Sequence, residues 1–71
     1  MNIDNENNIN FIRRCLGGME GFSDTMQYRS SMAGYAQGVA DALCTNGLLS
    51  SAVYVQLCSE IREYRNGGLI V

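Results

Sequence analysis

The stretch at residues 30–50, "SSMAGYAQGVADALCTNGLLS", decides the fold, because it joins the period of a helix to a clear helix end. Tyr28, Met32, Tyr35, Ala36, Val39 and Leu43 recur at helical spacing and form the main apolar stripe of this segment. Asn46–Gly47 then stops it. Gly47 can take the left-handed conformation, and Leu48 can fold back on Leu43 in a Schellman closure. Ser50 is placed to cap the next helix, with Leu49 and Tyr54 as a hydrophobic staple across that cap. So short a connection predicts an antiparallel or steeply crossed helical pair.

Working outward, Val53, Tyr54, Leu57, Cys58, Ile61 and Tyr64 give one broad apolar face to a third helix over 51–65, while Val55 falls on its polar side. Asn66–Gly67–Gly68 ends that helix and leaves residues 66–71 as a tail finishing in Leu69, Ile70 and Val71. Upstream, Ile9, Ile12, Leu16 and Met19 line one side of a first helix, widened by Phe11, Cys15 and Phe22. Gly17, Gly18 and Gly21 crowd its end: either Gly17 terminates the helix or, as preferred, the apolar pattern carries it through Met19 to about residue 20. Ser23 or Asp24 is the candidate cap of the second helix. Neither a proline, a charge block nor an internal repeat divides the chain. The expectation is an all-α, compact three-helix domain over residues 1–71. Its helices span about 5–20, 24–45 and 51–65, with the second in the middle and Leu16, Met32, Val39, Leu43, Leu57 and Ile61 in the core.

The second helix carries two glycines in its interior, each costing about 1 kcal/mol relative to alanine. Ser30, Gly34, Gly38 and Ala42 form a four-residue ladder along one border of the apolar stripe, and Ala33, Ala36 and Ala40 lie near the other. Small residues at this spacing allow close backbone approach. The approach can come from a neighbouring helix of the same domain, which is the preferred expectation, or from another chain. Arg29, Gln37 and Asp41 argue against the membrane version of this association. The candidate protein-binding residues are Tyr28, Gly34, Tyr35, Gly38 and Asp41. Tyrosine suits such a surface, because it buries a ring while keeping its hydroxyl wet.

Seventy-one residues, 46% of them hydrophobic, make one small globular domain whose stability margin is thin. Five arginines against seven acids give a net charge of −2, which speaks against a phosphate-binding face. Histidine is absent, removing the commonest base for a cysteine nucleophile and a common zinc ligand. Cys15, Cys44 and Cys58 lack paired metal-ligand spacing and read as small residues buried on or beside apolar faces. Glu60 and Glu63 read as part of a solvated helix face, not a catalytic pair. "LGGMEG" at 16–21 lacks the lysine of a phosphate loop. The expectation is therefore no enzyme, no metal and no cofactor. The polar opening "MNIDNENNIN" is unlike a signal peptide, and no apolar run approaches a membrane span, so the chain reads as cytoplasmic with reduced thiols.

The pattern Gly38-x-x-x-Ala42-Leu43-x-x-x-Gly47-Leu48-Leu49-Ser50, followed by Tyr54-x-x-Leu57-x-x-x-Ile61, resembles the helical hairpins of short proteins encoded by bacteriophages and mobile elements. The resemblance covers about residues 34–64. That class includes anti-host and anti-defence proteins, some anti-CRISPR proteins among them, which act by occupying a surface of a larger host complex. The resemblance implies a non-enzymatic inhibitor or adaptor whose partner is a host protein or protein complex. A small helix-turn-helix regulator and a structural homodimer remain as alternatives. The regulator is weakened because "SSAVYVQLC" begins its reading helix without arginine, lysine or asparagine.

Overall fold

Asn5 starts the first helix: its Oδ1 accepts the Asn7 N–H at 2.9 Å and its carbonyl accepts the Ile9 N–H at 3.1 Å. A backbone donor that the first turn would otherwise leave unpaired is satisfied in this way. The computed structural model describes residues 3–17 and 26–67. Within them lie α1 (Glu6–Gly17), α2 (Met26–Thr45) and α3 (Ser51–Arg65), with no strand among the described residues. The expected run of the first helix to residue 20, the Ser23 or Asp24 cap, the apolar roles of Met19 and Phe22, and the Leu69–Val71 end lie outside the described residues.

The turn between α2 and α3 has the expected chemistry. Gly47 takes φ +75°, its N–H donates to the Cys44 carbonyl at 3.0 Å, and the Leu48 N–H donates to the Leu43 carbonyl at 2.8 Å. Those two bonds define a Schellman closure. Ser50 Oγ then accepts the Val53 N–H at 3.3 Å, and Leu49 is buried beneath the turn. Asp4 adds a second tie that the sequence pattern did not announce. Its own N–H donates to the Leu48 carbonyl at 2.8 Å, while its Oδ1 accepts the Ser50 N–H at 2.8 Å. To do both it adopts φ +58°, a left-handed conformation that aspartate tolerates better than most residues. A carboxylate at the start of α3 also complements the positive end of that helix's dipole.

Contacts along the helices give their directions. Asp41 and Gln37 meet Tyr54, Gln37 meets Cys58, and Arg29 meets Tyr64, so positions on α3 rise as those on α2 fall. The pair is antiparallel, touching from the turn to the far end of α3. Asp4 meets Ser50 and Arg13 meets Glu60, so α1 runs in the same direction as α3. α2 is the middle element and packs on both neighbours, whereas α1 and α3 share a narrower contact.

The core is built from Ile12, Cys15 and Leu16 of α1, Ala33, Ala36 and Ala40 of α2, Leu49 of the turn, and Leu57, Ile61 and Tyr64 of α3. Leu16, Leu57 and Ile61 were expected there. Met32, Val39 and Leu43, also expected in the core, are instead only partly buried at its edge. The physical reason is close approach: a helix presenting alanines can sit nearer its neighbours than one presenting leucine or methionine. The border alanines therefore occupy the centre of the contact, and the larger side chains of the stripe are turned to one flank. Arg29 is buried with them.

Candidate protein-binding face

The ladder Ser30, Gly34, Gly38 and Ala42 lies on the side of α2 turned away from the core, and all four residues are exposed. A Cβ added at Gly34 or Gly38 would meet no atom within 4 Å. This corrects the expectation that the glycines admit a neighbouring helix of the same domain. That role belongs to Ala33, Ala36 and Ala40, which are fully buried. Both glycine backbones have ordinary helical φ, so no special conformation accounts for them.

The remaining candidates border this ladder on its two sides. Tyr35 is exposed and turns towards α1, where its ring meets Phe11 edge-on, with centroids 6.2 Å apart and planes at 65°. Such a pair contributes about 0.5–1.5 kcal/mol beyond the area it covers. Both rings nevertheless keep a large share of their surface in water: Phe11 is 41% and Tyr35 54% exposed. Tyr28, two turns earlier on the same side, is half-buried. Phe11 was placed with the apolar face of its helix, and its pairing with Tyr35 could not be read from either helix separately.

Asp41 borders the ladder on the side of α3, and it is already engaged. Its Oδ1 accepts the Tyr54 hydroxyl proton and a 2.8 Å bond from Gln37 Nε2. Gln37 Nε2 also lies 3.4 Å from Tyr54 Oη and 3.3 Å from Cys58 Sγ. The bond from Tyr54, then that from Gln37, holds the Asp41 carboxyl below the usual carboxylate range. The same bond, followed by that with Cys58, pushes the Tyr54 hydroxyl well above the usual tyrosine range. A carboxylate with a depressed folded pKa stabilises the fold above its unfolded pKa and loses that effect as pH falls through the folded value. A phenol with a raised pKa stabilises below its unfolded value and loses that effect as pH rises through the folded one. Wild type is thus expected to exceed Tyr54→Phe in stability at neutral pH. The difference should vanish in acid and again in strong alkali, as measured by urea titrations across pH. A difference independent of pH would show that the hydroxyl does not act through Asp41.

Other polar side chains hold the bundle together. Arg13 Nε and Nη2 reach the two Glu60 oxygens at 3.1 and 3.0 Å, a paired geometry that fixes α1 against α3. Glu60 was expected on a solvated face; the parallel run of α1 beside α3 brings Arg13 to it. Arg29 donates from Nη1 to the Tyr64 carbonyl at 2.8 Å, and its guanidinium sits 4.8 Å from the centroid of the Tyr64 ring. Cys15 is buried, which pushes its thiol up and makes it a poor nucleophile, while Cys44 and Cys58 are half-buried and not fully inside as expected. Among the described residues, no cluster of cysteine and acidic side chains could hold a metal, and no helix is long and apolar enough to cross a membrane.

Comparison of the chain with known protein families, with curated proteins and with solved structures finds no match.

Proposed function

We propose that the protein is a small non-enzymatic binding module that lays the outer face of α2 against a partner protein. The observation that carries this reading is the open ladder: Gly34 and Gly38 cost the helix about 2 kcal/mol together, and no internal packing offsets it. A flat strip of small residues admits the backbone of a partner helix closely, and the exposed Phe11–Tyr35 pair beside it supplies apolar anchors. Asp41, fixed by Tyr54 and Gln37, offers a carboxylate of defined position on the opposite border. The resemblance to short phage and mobile-element proteins supports a host complex in the cytoplasm as the partner, with inhibition, including anti-CRISPR inhibition, as the action.

The test is capture from host lysate with wild type, Gly38→Leu and Tyr35→Ala, each first checked for stability and oligomeric state. Gly38→Leu should fold as well as wild type, because the added side chain enters open space, yet lose at least about tenfold in affinity for the captured protein. Unchanged capture by both variants would remove this face from the function. Salt-sensitive retention of DNA would favour the regulator instead. A helix-turn-helix motif crosses its two helices at about 90–120°, whereas α2 and α3 here run antiparallel. Concentration-dependent dimerisation lost in Gly38→Leu would make the partner a second copy of the chain.

A further inference from the structure

The chain contains the dipeptide Asn-Gly twice, at Asn46–Gly47 and at Asn66–Gly67. Each follows a helix, each has its glycine in the left-handed region, and all four residues are exposed. By sequence the two are equivalent. By hydrogen bonding they are not.

We propose that Asn66 is a site of spontaneous covalent modification, deamidating to aspartate and isoaspartate, and that the fold withholds the same chemistry from Asn46. In this reaction the backbone nitrogen of the following glycine gives its proton to base and attacks the asparagine Cγ. A C–N bond forms, the Cγ–Nδ2 bond breaks and ammonia leaves, closing a five-membered succinimide. Water then adds to either imide carbonyl and opens the ring to aspartate or isoaspartate. One water is consumed and one ammonia released, with no change of oxidation state. Glycine favours the step because no side chain shields its nitrogen.

At Asn46 both reacting groups are tied. The Nδ2 donates to the Ala42 carbonyl at 2.7 Å, holding the side chain back along α2, and the Gly47 N–H donates to the Cys44 carbonyl at 3.0 Å. Freeing the nitrogen also loosens the adjacent Leu48 N–H bond to Leu43, next to the carbonyl that Asp4 grips and to buried Leu49. Attack at this site therefore requires opening the whole turn between α2 and α3. At Asn66 nothing among the described residues accepts from or donates to the side chain. A single bond, the Gly67 N–H to the Tyr64 carbonyl at 3.0 Å, restrains the attacking nitrogen. It belongs to the last turn of α3, and terminal turns open at far lower free energy than a packed interhelical turn. The product places a carboxylate beside the carbonyl end of α3, where the helix dipole is negative. Isoaspartate also reroutes the backbone through the side chain, so the Gly67 bond to Tyr64 is lost.

The test incubates the full chain at mildly alkaline pH, folded and in concentrated urea, followed by tryptic peptide mapping. Cleavage after Arg65 isolates Asn66 in residues 66–71, and cleavage after Arg29 and Arg62 isolates Asn46 in residues 30–62. In the folded protein the 66–71 peptide should gain one mass unit and split into two isomers at least about tenfold faster than residues 30–62 change. In urea the two rates should converge, and Asn66→Gln should abolish the modification of its peptide. Equal rates in the folded protein, absence of change at Asn66, or a rate difference that persists in urea would each overturn the proposal.

Discussion

Ala36→Leu is expected to cost about 3 kcal/mol of stability, while Gly38→Ala, two residues further on, is expected to add about 1 kcal/mol. Ala36 has no exposed surface and is flanked along its helix by Ala33 and Ala40, which have none either. Three fully buried alanines along α2 set how closely it sits against α1 and α3. A leucine at the middle one cannot be accommodated by a local bulge, because the alanine a turn to either side holds the same short spacing. The helices must separate, and Leu57, Ile61, Ile12 and Leu16 lose contact together. For a domain of this size, with a total stability of roughly 4–10 kcal/mol, that loss is a large fraction of the whole. Gly38 faces the other way. Its added methyl meets no atom within 4 Å, so only the gain in helix propensity registers. Urea denaturation of the two variants gives both numbers. Destabilisation by Gly38→Ala with Ala36→Leu tolerated would mean that the glycine face, not the alanine face, is the packed one.

This pair of substitutions also marks where the sequence could be read and where it could not. The helix ends that lie among the described residues follow from chemistry local in the chain. The Gly47 closure and the Ser50 cap each involve backbone groups within six residues, so residue types alone imply them. The rotation of α2 about its axis is a tertiary property. Reading by side-chain size gave Met32, Val39 and Leu43 the core, whereas close helix approach rewards the smallest apolar residues, and the alanine border became the centre. The same rotation exposed the glycine ladder, which the preferred expectation had placed inside the bundle. The Asp4 tie and the Arg13–Glu60 pair join residues 46 and 47 positions apart, and neither end has a local partner that would announce it. Of the candidate binding residues, Gly34, Tyr35, Gly38 and Asp41 share the exposed half of α2 because i, i+3 and i+4 spacing places them there in any α-helix. The Tyr54 and Gln37 bonds to Asp41 needed the antiparallel register of α3.

Arg29→Ala is expected to lower stability by about 3 kcal/mol, a fall in Tm of roughly 15 °C for a domain this small. Arg29 is 5% exposed, the buried charged residue among the described residues, and three of its contributions lie among them. Its Nη1 donates to the Tyr64 carbonyl, its guanidinium lies over the Tyr64 ring, and its positive charge stands at the carbonyl end of α3, where the helix dipole favours it. Among the described residues no buried side-chain nitrogen or oxygen lacks a partner, so the charge is not buried unsatisfied. The Tyr64 carbonyl also accepts the Gly67 N–H at 3.0 Å, and losing Arg29 does not orphan it. The Tyr64 carbonyl therefore adds little to the expected cost, to which lost packing and lost attraction to the ring and helix end contribute. Arg29→Met separates these: it keeps an apolar stem in the same space and should recover about half of the loss. A double-mutant cycle with Tyr64→Leu, which removes the ring but leaves the carbonyl, isolates the stacking contribution, expected at about 1–2 kcal/mol for a desolvated pair. A coupling energy near zero in that cycle, with Arg29→Met as stable as wild type, would reduce Arg29 to a space-filling stem and assign the junction of α2 and α3 to apolar packing alone.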